Sequence, residues 1–323
     1  MPNLNWDSLD KRVARALAQI QSAGEKRLLL AYAQALKEIR TKMSRLYQKV
    51  KTPDGKLTLA EMTKYNRYAT LDKEISDLMR DTYKIAVGDI DRIAEEVYEA
   101  SYFRYAWAFD QHAQVSLSWG LINRDAIAAA TGNPLDLIAK NTLEPAMRNR
   151  IRTAITQGLI QGKSYPKMMR EIMNAMGNNA YEAMRIARTE GQRAQSLGTE
   201  AIYDVARKNG IAGREIWDAT LDGRTRPSHQ ALDGQARGED GLWRVSHNGE
   251  MLETPGPVLS GVASFDINCR CRRRFEVEGF APIIRRTRDG GIIPYTTYDD
   301  WRERLDDSGA YIPTPEQVDK IRA

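Results

Sequence analysis

Lys26–Val50, KRLLLAYAQALKEIRTKMSRLYQKV, carries the most regular pattern in the chain. Leu29, Leu36, Met43 and Val50 recur every seven positions, and Tyr32, Ile39 and Leu46 fill the seam between them. Apolar residues at this spacing line one side of a helix, because a helical turn takes about 3.6 residues. The pattern predicts a long helix packed against a partner helix. The partner is expected next in the chain. Pro53-Asp54-Gly55 is turn chemistry, and Thr58-Leu59-Ala60-Glu61 has the Thr-x-x-Glu form of a capping box. Leu71, Ile75, Leu78, Ile85, Ile93 and Val97 then continue at helical spacing to about Ala100. A helical hairpin is the plain reading. Its seam serves either an intramolecular bundle or docking on an outside partner. In the second case Leu29, Tyr32, Leu36, Ile39, Met43 and Leu46 are the docking residues.

Tyr102, Phe103, Tyr105, Trp107 and Phe109 follow as an aromatic cluster, read as core rather than as a base-stacking surface, with His112 structural. From 120 to 210 the chain stays helical. Gly132-Asn133-Pro134 and Gly162-Lys163-Ser164-Tyr165-Pro166 are breaks, and helices over 167–176 and 179–208 are expected, the second stopping at Asn209-Gly210. Near residue 211 the texture changes. Glu215-Ile216-Trp217, Trp243-Arg244-Val245 and Phe275-Glu276-Val277 read as strands between turn-forming glycines. The fold class is therefore mainly α with a smaller α+β C-terminal module. Its segments are a helical hairpin or bundle region (1–115), a helical region (116–210), a compact module (211–280) and a peripheral arm (281–323).

The 323 residues are 42% hydrophobic and 28% charged, with a net charge of +5, the composition of a globular chain of one large or two ordinary domains. The mild basicity permits contact with DNA or an acidic surface and demands neither. Two cysteines one residue apart build no disulfide framework, which points to a reducing cytoplasm. No apolar run approaches the roughly 20 residues of a membrane span, and the polar N-terminus is no signal peptide.

Chemistry-bearing residues concentrate between Trp217 and Cys271, which hold both cysteines and two of the three histidines. In a strand, residues i and i+2 share a face, so Cys269 and Cys271 could present two sulfurs to one ion. His229 could add a nitrogen, and Asp218, Asp222, Asp233 or His247 a fourth donor. Such a set suits a structural zinc. The alternatives are two buried thiols or a strained redox pair. A three-ligand zinc could also activate water, with Glu190 or Asp222 as base, but no catalytic or phosphate-binding motif accompanies it. Arg270, Arg272, Arg273 and Arg274 place four guanidiniums within five residues. They suit phosphate contact or ion pairing with acidic groups of this chain or a partner.

In order along the chain stand Arg188-Thr189-Glu190, Trp217-x-x-x-x-Asp222-x-Arg224-Thr225-Arg226-x-x-His229, Leu232-Asp233-Gly234, Pro255-Gly256-Pro257 and Asn268-Cys269-Arg270-Cys271. Together they resemble the phage Mu protein F-like family of minor head (head morphogenesis) proteins over about residues 150–280. Tyr298-Asp299-Asp300-Trp301 resembles tails seen beyond that domain. The resemblance implies a minor capsid component of a tailed double-stranded DNA phage or prophage. Such a component acts near the portal in procapsid assembly, beside portal and major capsid or scaffolding proteins, with links to DNA packaging or ejection. It also implies a metal site carried over to Asp222, His229, Cys269 and Cys271. The expected setting is the virion head, and the host cytoplasm during assembly, without a membrane and without enzymatic activity. The alternative is an enzyme or toxin-like effector acting on nucleic acid or a nucleotide through the His/Cys/Asp cluster.

Overall fold

A computed structural model describes residues 5–50, 57–113, 119, 127, 134–278, 284–286, 292–306 and 311–322. Helices α1 (Trp6–Val50), α2 (Leu59–Thr63), α3 (Arg67–Ala113), α4 (Pro134–Ile160) and α5 (Tyr165–Lys208) precede the first strand. The module then runs β1 (Gly213–Asp218), α6 (Pro227–Leu232), β2 (Trp243–His247), β3 (Glu250–Thr254), α7 (Ala263–Asp266) and β4 (Arg272–Val277). The tail adds β5 (Ile284–Arg286), β6 (Ile292–Pro294), α8 (Tyr298–Glu303) and α9 (Pro315–Arg322). The fold is mainly α with a small α+β module, as the periodicities imply.

The chain forms two compact units, each assembled from separated segments. One comprises residues 21–93 and 131–188, the other residues 1–20, 94–130 and 189–323. Helices α1, α3 and α5 each give residues to both.

In the first unit, α1 buries Gly24, Leu28, Tyr32, Ala35, Ile39, Met43 and Tyr47, in steps of four with one of three. Tyr32, Ile39 and Met43 belong to the expected seam, and this chain's own core covers them. Leu29 does not: it is 41% exposed, while Leu36 and Leu46 are half-buried. Leu28-Leu29-Leu30 offers apolar side chains in three successive directions, and Leu28 faces inward. Gly24 permits a close approach: a Cβ there would lie 2.2 Å from Ile93 Cγ1. Thr58 caps α2 as its sequence suggests, accepting from Glu61 N–H at 3.3 Å. A 3₁₀ turn over Lys64–Asn66, with Tyr65 at φ 56°, then delays the long helix to Arg67. Pro53-Asp54-Gly55 lies outside the described residues, as does the side chain of Val50. The expected break near residue 177 is absent, for α5 passes through it as one helix of 44 residues. That helix ends where Asn209-Gly210 places it, Gly210 being left-handed at φ 81°.

In the second unit, Trp6, Leu9, Val13 and Leu17 on α1 meet Tyr102, Tyr105 and Phe109 on α3, Ile202 and Tyr203 on α5, and Phe275 on β4. Trp6 stacks on Phe109 with centroids 4.6 Å apart, and its indole N–H donates to the Phe275 carbonyl at 2.6 Å. The aromatic cluster is thus mainly core, with Phe103 and Trp107 partly exposed. Strands β1 and β4 pair antiparallel, Trp217 opposite Arg273 and Asp218 opposite Arg272. Strands β2 and β3 form a hairpin, and β5 pairs with β6.

The one-residue offset of the α1 stripe has a direct consequence. Leu28→Ala should destabilise the protein by about 2–5 kcal/mol and Leu29→Ala by less than about 1 kcal/mol, read by urea denaturation.

Candidate metal centre

Three elements converge on one cluster. Pro227 occupies the first turn of α6, where its missing N–H costs nothing, and the helix carries His229 inward. After α7, Asn268 adopts φ 57° and turns the chain so that Cys269 and Cys271 both point back. His229, Cys269 and Cys271 are all buried, and their donor atoms lie within 4.8 Å of one another. His229 Nδ1 is 3.2 Å from Cys271 Sγ and 3.5 Å from Cys269 Sγ. A tetrahedral zinc with bonds of about 2.3 Å to sulfur and about 2.0–2.1 Å to nitrogen separates S from N by about 3.6 Å. The Cys269 spacing matches such an ion, and the Cys271 spacing is somewhat shorter.

The surroundings fix the ligands. Phe265 packs on the His229 ring with centroids 4.1 Å apart, and Trp217 meets its edge at 5.8 Å. Gln192 on α5 donates to the Cys271 carbonyl at 2.7 Å, and the Asn268 N–H donates to Thr189 Oγ1 at 3.2 Å. Thr189 and the nearby Gln192 thus brace the cysteine turn. Glu190 is buried and pairs with Arg193 at 2.9 Å, so it is not free as a base. Arg226 donates to the Phe265 and Ile267 carbonyls, fastening the turn from the other side. Burial pushes the Cys271 thiol far above its ordinary value when no cation is near. A bound divalent ion reverses that preference by stabilising thiolate.

The other expected donors are engaged elsewhere. Asp222 receives a two-pronged contact from Arg270 and accepts the Arg224 N–H at 2.9 Å, closing its own turn. Among the described residues it stands outside the three-residue donor group. Asp218 pairs with Arg272 at 2.6 Å. Asp233 accepts the Ala219 N–H at 2.7 Å and the Tyr298 N–H at 2.6 Å. This carboxylate is a clamp between β1 and the tail, and sequence spacing alone gave no sign of it. Tyr298 is buried, and its hydroxyl donates to the Asp222 carbonyl, so the tail is not merely peripheral here. His247 stands between Ser228 Oγ at 3.1 Å and Ser264 Oγ at 2.9 Å.

The arginine run is drawn into the fold rather than presented as a phosphate track. Arg272 reaches Asp10 at 2.7 Å as well as Asp218. Burial disfavours its charge, yet the two carboxylates hold it firmly protonated. Arg273 is fully buried against Glu215 at 2.8 Å, and Arg274 pairs with Glu276 at 3.1 Å and lies over the Tyr295 ring. Only Arg270 of the four is exposed. Local charge density could not reveal this for Arg272 and Arg273, because Asp10 and Glu215 are remote from them in sequence.

With the fold and the cluster in view, the chain can be set beside known proteins. The model of the "Phage Mu protein F like protein" family matches residues 149–274. Over 311 residues, 93% of this chain and 97% of the relative, it is 30% identical to minor head protein GP7 of Bacillus phage SPP1. The chain belongs to the Mu F-like minor head proteins. It is also 29% identical over 284 residues, 86% of this chain, to a protein of Enterococcus faecalis named NAD(+)–arginine ADP-ribosyltransferase EFV; that match spans 56% of the enzyme. An uncharacterized Haemophilus influenzae protein is 24% identical over 147 residues, 46% of this chain and 28% of its own length. No solved structure matches the chain. The family match takes in α5, α6, the cysteine turn and the first half of β4, which are the elements that build the cluster. No described helix is long and apolar enough to cross a membrane.

Glu215 supplies a pH test of the module. Burial pushes its carboxyl up, but Arg273, Arg207 and Arg237 outweigh burial and hold it below the ordinary value of 4.5. A depressed folded-state value makes its contribution to stability complete above the unfolded value, and acidification through the folded value removes it. Glu215→Gln should therefore cost about 3 kcal/mol at neutral pH, by leaving buried arginine charge uncompensated, and should flatten the acid limb of a stability–pH curve.

Proposed function

We propose that this head protein acts beside the portal during procapsid assembly, contacting portal and major capsid or scaffolding proteins, and that it remains in the virion head. Assembly takes place in the host cytoplasm, and DNA packaging or ejection is the later step it serves. The observation that carries this reading is the 30% identity extending over 97% of a minor head protein. The effector reading draws on 29% identity to a transferase, but that match spans only 56% of the enzyme. Coverage of nearly the whole head protein favours the structural role. Direct DNA contact by β4 draws no support from Arg272, Arg273 and Arg274, whose guanidiniums are engaged within the chain.

Quantitative mass spectrometry of purified procapsids and mature virions tests the placement. A few copies per particle in both are expected. Absence from both would overturn the reading.

Within this role we assign His229, Cys269 and Cys271 to a structural zinc, supported by their convergence and the donor spacing. An ion there supplies rigidity, tying α6 to the strand that pairs with β1. Tag-free protein should contain one zinc per chain, and Cys269→Ser should lose it together with several degrees of thermal midpoint. Metal-free protein of unchanged stability would contradict the assignment.

A further inference from the structure

The metal group has three donors where a tetrahedral ion takes four. Among the described residues the candidates for a fourth are engaged elsewhere. Asp222 is held by Arg270, Asp233 by two backbone N–H groups, and His247 by two serines. Asp266 accepts from Ser260 Oγ at 2.8 Å and from the Gly261 N–H at 2.9 Å. Beside the three donors opens a cleft, lined by them and by Thr220, Arg224, Thr225, Arg226, Asn268 and Arg270.

The charge around that cleft is unbalanced. Arg270 and Arg224 share one carboxylate, Asp222, and Arg224 reaches it only at 4.0 Å with 63% of its side chain exposed. Arg226 faces backbone carbonyls and has no carboxylate partner among the described residues. Three guanidiniums thus meet one carboxylate. Two thiolates and a neutral imidazole cancel a divalent charge, so loading the metal leaves this positive excess in place.

We infer that the cleft is a docking point for a carboxylate of an acidic protein segment, which takes the fourth position on the metal while Arg224 and Arg270 bind its second oxygen. The inference rests on the metal assignment above. A carboxylate fits because one of its oxygens can ligate while the other accepts from a guanidinium. A duplex phosphate backbone fits less well. It calls for a track of outward cations, and β4 turns its arginines inward. In a head protein such a contact makes the metal part of an intermolecular joint as well as a staple.

Cobalt(II)-loaded full-length protein separates the outcomes. Thiolate-to-cobalt absorption in the near ultraviolet reports loading, and the visible d–d bands report the fourth ligand. Acetate, and then a glutamate-rich peptide, should each shift the visible bands saturably. Arg224→Gln should weaken both responses about tenfold, the loss expected for one charge-assisted hydrogen bond. Cobalt that loads but shows inert visible bands would overturn the docking point and leave the structural ion intact. A response to duplex DNA with none to acetate would also overturn it, in favour of a phosphate ligand. Failure to load would end both assignments.

Discussion

The module depends on a guanidinium held between a helix and a strand: Arg272 on β4 lies between Asp10 on α1 and Asp218 on β1. Placing a charge in that setting is costly unless its partners are in position. They are in position only when the first turns of α1 have docked. Tyr105 donates to the other oxygen of Asp10 at 2.8 Å, which brings α3 into the same arrangement. Trp6 then closes it by bonding to the Phe275 carbonyl one turn away. Residues 262 positions apart therefore fold as parts of one arrangement.

The metal group builds on this frame. Cys271 immediately precedes β4, so whatever fixes Arg272 fixes the sulfur beside it. Gln192 and Thr189 brace the cysteine turn from α5, and Arg226 pins its carbonyls. The backbone around the ligands thus holds three donors at metal spacing. The family match runs over these same braces and strands, while the seam of α1 lies outside it.

Much of this was legible from residue order. Helical periodicity revealed the long helices, glycine spacing revealed the module, and a cysteine pair one residue apart, with a histidine 40 residues earlier, pointed to the donor group. What stayed hidden has a common physical cause. Three consecutive leucines fit more than one helical face, and only packing selects Leu28. A row of arginines looks like a phosphate track until the carboxylates 58 and 262 residues away are brought beside it. Asp222 looked like a ligand by type, but its own turn and Arg270 claim both of its oxygens. Gly177 reads as a break in sequence, yet it faces open space on a long helix, where one glycine costs only about 1 kcal/mol.

Native-state hydrogen exchange, resolved by residue, tests whether this cluster joins α1 to the module. If the Asp10–Arg272–Asp218 cluster ties α1 to the module, amides of Leu9, Val13 and Leu17 will open with the same free energy and denaturant dependence as those of Arg273 and Phe275. If they instead exchange together with Leu28, Tyr32 and Ile39, independently of β4, the start of α1 belongs to the hairpin and the account is wrong.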